Sequence, residues 1–280
     1  MLKDEHLKVV HYEQDSSKVF SNTDIKGGVA ITYWDRDKIF EPIKVFTIDP
    51  VLKHIVDKVK IVSNKSIQNI ITPQGYYRFT KIMHEENPEV SKTFVKGAHH
   101  QVGTAVINKH DDQIFFKEKP SNDNEYIQIY GLLKGKRVYR WIDERYIKEN
   151  EGLNKFKVLV TKANGSGDFG ERLSTPLVCG PRIGHTQTFI SIGFFDYESS
   201  AINCLTYIKT KFSRAMLGIF KVTQDNLSPT WEMVPIQDFS LNSDIDWTKP
   251  IAEIDQQLYE KYNLNEEEIE FIETHVKEME

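Results

Sequence analysis

Two adjacent glycines, Gly27 and Gly28, followed at once by Val29-Ala30-Ile31-Thr32-Tyr33-Trp34, restrict the start of this chain to very few conformations. β-Branched and aromatic residues dominate those six positions, as a strand that must pack on a sheet requires. The glycine pair supplies the backbone freedom for a tight turn or a close approach to a ligand. Upstream, Leu7-Lys-Val-Val-His-Tyr12 reads as a second short strand, and Glu13-Gln-Asp-Ser-Ser17 as a polar turn. The two strands predict a ribbon whose connecting loop carries Phe20, closed by the charged turn Trp34-Asp-Arg-Asp-Lys38.

Asp49 before Pro50 marks a helix start, a capping carboxylate ahead of a proline at the first helical position. Val51, Leu52, Ile55, Val56 and Val59 recur at helical spacing and predict a core-facing stripe. Gln74-Gly-Tyr-Tyr-Arg-Phe79 suits phosphate and base contacts, and equally a loop whose rings cover the core. The adjacent His99 and His100 point to different sides of a strand or helix. No Cys, Asp or third His stands nearby at a standard zinc spacing, so a surface loop is expected. Ala105–Asn108 and Gln113–Lys117 read as two short strands around His110-Asp-Asp112.

Glu125–Tyr130 and Arg137–Ile142 predict an antiparallel hairpin across the turn Gly131–Lys136. Alternation sets Val138, Arg140 and Ile142 on one face, with Arg137, Tyr139 and Trp141 on the other. Lys134, Lys136, Arg137 and Arg140 form the densest positive cluster of the chain, although lysines also serve to blunt a hairpin edge. Phe156–Lys162 reads as a strand ending in Ala163-Asn164-Gly165-Ser166-Gly167. There, small residues bring the backbone close to a partner, Lys162 supplies charge, and Asn164 and Ser166 supply adaptable hydrogen bonding. The glycine spacing is not that of a P-loop. Thr188–Gly193 predicts a buried strand. From Asp196 a long helix is expected, with Ala201, Leu205, Ile208, Phe212, Ala215, Met216 and Ile219 on its apolar face. Lys209, Lys211, Arg214 and Lys221 make its second half basic, which also complements the helix dipole. The last helix is Glu266–Glu278, capped by Asn263 or Asn265. The pattern as a whole predicts an α+β class: mixed, mostly antiparallel short-strand sheets with a few long helices.

Composition excludes several classes. A hydrophobic share of 39% with 28% charged residues is that of a globular chain, and no apolar run approaches the ~20 residues that span a bilayer. The N-terminal residues lack a secretory pattern, and the two cysteines make neither a metal spacing nor a disulfide framework, so a cytoplasmic location is expected. Net charge is −5, but residues 251–280 hold ten acidic residues against two lysines. That tail carries a formal −8 and leaves +3 for the first 250 residues, so a basic face on the body is compatible with overall acidity.

Val19-Phe20 … Asp24-Ile25-Lys26-Gly27-Gly28-Val29 resembles the late motif of gamma-class adenine-specific DNA methyltransferases, including the fused restriction-and-modification enzymes. Tyr207-Ile-Lys-Thr-Lys-Phe212, Gln224-Asp225 and Trp231 … Val234-Pro-Ile-Gln-Asp-Phe239 are similar to phrases from the target-recognition region of the same enzymes. The resemblance implies that residues 1–40 are the last strands of a methyltransferase catalytic domain and 41–280 a target-recognition domain with C-terminal helices. It implies a stacking role for Phe20 against an adenine turned out of the duplex, and double-stranded DNA as partner. The Pro-Pro-aromatic catalytic signature is absent from the 280 residues, as is a donor-binding glycine turn before Lys18. The chain is therefore expected to bind no cofactor and to transfer no methyl group itself. S-adenosylmethionine would belong to a catalytic half upstream or in trans. Lys134, Lys136, Arg137, Arg140, Lys162, Asn164, Ser166, Lys209, Lys211 and Arg214 are expected to share one DNA-facing surface, with the acidic last helix away from it. Two other readings stand beside this one. Asp24-Ile25-Lys26 with a second acid such as Glu13 has the outline of a magnesium-dependent nuclease, and a protein-interaction module would need no basic groove.

Overall fold

A computed structural model describes residues 4–279 except 14, 24, 26, 27, 41, 42 and 44–48. The N-terminal ribbon pairs β1 (Leu7–Glu13) with β2 (Val29–Trp34) antiparallel, from Leu7 opposite Trp34 to Glu13 opposite Val29, with a bulge between Val9 and His11. Gly28 enters β2 at φ +76°, and a Cβ there would lie 2.5 Å from the Tyr12 hydroxyl and 2.6 Å from the Glu13 carbonyl oxygen. No other residue fits that position without moving the ribbon. Gly27, and the expected boundary between residues 40 and 41, involve positions outside the described residues.

Beyond the ribbon, α1 (Pro50–Val62), α2 (Lys81–Glu86), α3 (Pro88–Lys92) and α4 (Val106–His110) precede the hairpin of β3 (Tyr126–Leu133) and β4 (Lys136–Asp143). The strands β5 (Phe156–Thr161), β6 (Leu177–Cys179), β7 (Ile183–His185) and β8 (Phe189–Phe195) follow. Four helices close the chain: α5 (Glu198–Lys209), α6 (Lys211–Gly218), α7 (Ile251–Lys261) and α8 (Glu266–His275). The class is α+β. One sheet runs β4-β3-β7, with β7 parallel to β3, and another runs β6-β5-β8, wholly antiparallel. Among the described residues, no helix is long and apolar enough to cross a membrane.

Two larger cores result. Ile55, Val59, Val158, Ile192, Tyr207, Phe212, Trp231, Leu258 and Ile272 join α1, the sheet around β5 and the closing helices. Tyr77, Phe79, Met83, Ile107, Phe115 and Ile142 fill a second core under the β3–β4 hairpin. Tyr77 and Phe79 are thus core side chains, not base contacts. Asp49 caps α1 as expected, accepting from the amides of Val51 and Leu52.

The structure corrects three expected elements. Residues 113–117 are a turn with isolated bridges at Phe115 and Phe116 in place of a strand. Residues 106–110 form the helix α4 in place of a strand, because Val106, Ile107 and His110 are buried together, which one helical turn achieves. The long helix from Asp196 is divided at Thr210, whose backbone leaves the helix at ψ 151° and whose hydroxyl accepts from the Ser213 amide. The Asp255 carboxylate accepts from the amides of Lys211 and Phe212, completing a new helix start.

Between the two sheets, His185 is buried in its neutral form. Its Nδ1 donates to the Thr186 carbonyl at 2.9 Å, and its Nε2 accepts from the Ser191 hydroxyl at 2.7 Å. Burial pushes its pKa down to about 4. The unfolded chain takes up this proton near pH 6.5 and the folded chain only near 4, so stability falls as pH drops through that window, by about 3 kcal/mol. Asp255, pushed up to about 6 by burial, acts in the opposite sense between pH 6 and its ordinary value. The His185 effect is therefore read as a difference. Urea denaturation between pH 7 and 4.5 is expected to give wild type the steeper loss of stability, and His185→Gln the shallower one.

Candidate nucleic-acid interface

The loop between β1 and β2 is built on Ser16. Asp15 caps a short helical turn by accepting from the Ser17 amide, and the Phe20 amide donates to the Ser16 carbonyl at 2.8 Å. The buried Ser16 hydroxyl donates to the Thr23 carbonyl and accepts from the Ile25 amide at 2.8 Å. This fixes the backbone around Phe20, whose ring remains 52% exposed. Asp24 and Lys26 of the nuclease outline lie outside the described residues, and the Glu13 carboxylate is 3.6 Å from the Lys18 ammonium.

The β3–β4 hairpin turns through Lys134 and Gly135, both at positive φ (49° and 78°), the two-residue turn that matches strand twist. Lys134 and Lys136 are exposed, and their side chains have no partner among the described residues. Arg137 and Arg140 leave on opposite faces. The Arg137 guanidinium donates to the carbonyls of Thr175 (2.6 Å) and Ser174 (2.8 Å) and lies over the Phe189 ring. Arg140 is held by Asp111 at 2.6 Å. The four cations are not one surface cluster, because two of them serve the fold.

The loop after β5 is likewise organised inward. Asn164 is buried, its amide nitrogen donating to the Arg172 carbonyl and its oxygen accepting from the Ser174 amide. Glu171 accepts from the amides of Ser166 and Gly167 and pairs with the buried Lys221 ammonium, which also donates to the Asn164 carbonyl. Asn164 is therefore a structural residue and not a DNA contact. Ser166 is exposed, its hydroxyl accepting from the Asp168 amide at 3.4 Å, and Lys162 is half-buried with no side-chain partner among the described residues.

On the closing helices, Arg214 is 2% exposed and donates to the carbonyls of Lys209, Gly170 and Glu171. Burial removes it from any DNA surface. Lys211 pairs with Glu273 of α8 at 2.5 Å, so the acidic last helix lies against this basic segment and not away from it. Lys209 stays half-buried without a side-chain partner among the described residues. The loop 164–174 brings the three expected regions close together, since Arg137, Asn164, Lys221 and Arg214 all bond to it. It does so by consuming the charges that were to face DNA.

Sequence reasoning missed Glu171, which stands seven residues from Asn164 and fifty from Lys221 with no motif linking them. It also missed His84, which the fold places beside His99 and His100. A candidate metal group thus exists where none was expected. The signal was present only as a histidine next to Met83 in the short helix Lys81–Glu86, where these two are the buried residues.

Replacing Glu171 by Gln, or Lys221 by Met, strands a buried partner and is expected to cost about 3–5 kcal/mol each. A double-mutant cycle followed by urea denaturation is expected to show the double variant losing clearly less than the sum.

No model of a known protein family matches this chain, and no curated protein sequence matches it.

Proposed function

We propose that this chain is the DNA target-recognition portion of an adenine-specific restriction–modification methyltransferase. It reads duplex DNA for a catalytic half that supplies S-adenosylmethionine and the target-amino chemistry. The observation that carries this reading is the exposure of the β1–β2 ribbon. Ile31 and Trp34 are at least half exposed, as is Val10 on the facing strand, although the sequence of β2 is that of a packed strand. Among the described residues, none before Val51 contributes to the buried clusters. A two-stranded ribbon is marginally stable by itself in water, and joining a larger sheet stabilises it. That is the place the resemblance assigns to this ribbon, at the end of a catalytic sheet.

Phe20 fits the same reading. A ring that stacks on a turned-out base has to stand clear of its own core on a backbone that does not move, and Ser16 provides that anchoring. The free cations Lys134, Lys136, Lys162 and Lys209 are the groups left to neutralise phosphates, and the exposed Ser166 can hydrogen-bond to them. Base reading belongs to the assembled enzyme, and the isolated chain binds mainly through phosphate contacts.

Fluorescence anisotropy with a labelled mixed-sequence duplex tests this. Dissociation constants of ~10⁻⁴–10⁻⁶ M are expected, rising steeply between about 50 and 200 mM salt. Lys134→Glu combined with Lys136→Glu is expected to weaken binding several-fold at unchanged Tm. Absence of binding at low salt, or binding indifferent to salt, overturns the proposal. Phe20→Ala is expected to change stability by no more than about 0.5 kcal/mol, against the ~3–5 kcal/mol lost when a core phenylalanine is truncated. Thermal denaturation distinguishes the two.

A further inference from the structure

His84 on α2 meets His99 and His100, which lie on the loop between α3 and α4. One ring nitrogen from each lies within 4.8 Å of the other two. The His84 and His99 rings stack with centroids 3.8 Å apart, and His100 stands edge-on to both at 5.1 and 5.4 Å.

A neutral imidazole offers one bare nitrogen, and the surroundings select which. The Ser91 hydroxyl lies 3.1 Å from His84 Nδ1 and 3.3 Å from His99 Nε2. Its oxygen has two lone pairs and accepts from both N–H groups when both rings take the tautomers that leave the opposite nitrogens bare. His84 Nε2 is buried and has no hydrogen-bond partner. A buried polar nitrogen without a partner calls for a ligand. His110, nearby, differs in this respect: Thr93 and Gln113 occupy both of its nitrogens.

We propose that His84, His99 and His100 bind one divalent first-row transition ion, zinc foremost, with a fourth position open to solvent. Three imidazoles and no carboxylate suit zinc, copper, nickel or cobalt, and not the oxygen-seeking magnesium or calcium. The serine acts as the outer partner that orients ligating histidines. Ligand nitrogens about 2.0–2.1 Å from a tetrahedral zinc lie roughly 3.3 Å apart, so the rings close in on binding. The loop can follow, because Gly97, at φ +91°, has open space around it. His100 is exposed and gives the ion its route of entry. A bound ion ties the α3–α4 loop to α2 and presents one exchangeable coordination site.

The test uses the untagged full chain, stripped with a chelator and then titrated with cobalt(II) and, separately, zinc. Saturable uptake of one ion per chain is expected, with visible cobalt absorption of low-coordinate character and a Tm that rises with zinc. His99→Ala and His100→Ala are each expected to weaken binding at least about tenfold while the apo protein keeps its circular dichroism spectrum. The exposed His54→Ala serves as control and is expected to change nothing. No saturable binding up to about 100 µM zinc, or affinity unchanged in the double variant His99→Ala with His100→Ala, overturns the proposal.

Discussion

Burying a cation obliges the chain to bring acceptors to it, and in this protein that obligation shapes the loop 163–174 and what surrounds it. Lys221 meets Glu171, the Asn164 carbonyl at 2.8 Å and the Thr223 carbonyl at 3.1 Å. Glu171 then has lone pairs left for the amides of Ser166 and Gly167, and the loop turns around them. Asn164 fastens the return of the loop at Arg172 and Ser174, and the next carbonyls receive Arg137 from the hairpin. A continuous run of bonds thus connects the chain after α6 to the tip of β3–β4. Gly167 passes so near that a Cβ would fall 2.4 Å from the Thr223 nitrogen. Lys157 repeats the principle in the middle of a sheet: its ammonium is satisfied by the carbonyls of Gly152, Lys155 and Gly180, while burial pushes its pKa down to about 8.

Formal charge is therefore a poor measure of the charge available to a polyanion here. Arg214, Lys157 and Lys221 have their side chains buried, while Arg137, Arg140 and Lys211 spend theirs on carbonyls or carboxylates of the chain. A buried or fully paired cation releases no counterion when DNA arrives, so it adds neither affinity nor salt dependence. The interface left to the proposed recognition role is smaller than the sequence count, and it centres on the hairpin turn. Fewer free cations allow fewer phosphate contacts, so the binding proposed above is expected to be weak.

Local rules were the legible part of this chain. The ribbon, the Asp49-Pro50 cap, the hairpin with its alternating faces and the Asn265 cap of α8 all depend on residues a few positions apart. What escaped depends on partners far away in sequence. Nothing near Thr210 reveals that Asp255 will stand ready to cap a second helix there. Arg140 reads as a free cation until Asp111 is placed beside it. Val106-Ile107 has strand-like residues, and only the packing of both against β3 makes a helical turn the better solution. The exposed Phe20 kept its expected setting because its loop is pinned locally by Ser16. The candidate surface was least legible, because the loop 164–174 takes its partners Arg137, Arg214 and Lys221 from distant stretches of the chain.

The acidic tail carries this argument furthest. In sequence the chain divides into a body at +3 and a tail at −8, which suggests two faces of opposite sign. In space the tail is threaded into the body. Glu268 closes the capping box of α8 and pairs with Lys58 of α1 at 2.7 Å. Glu273 takes Lys211 and the Tyr259 hydroxyl, and Asp255 holds the first amides of α6. Ile272 and Val276 lie in the main core. The tail is thus an internal counter-charge for cations of the body, and a protein shortened at Asn263 would lose core surface together with those partners. Acidity in this region lowers the cost of placing Lys58 and Lys211 against an apolar core; it does not mark a surface turned away from DNA.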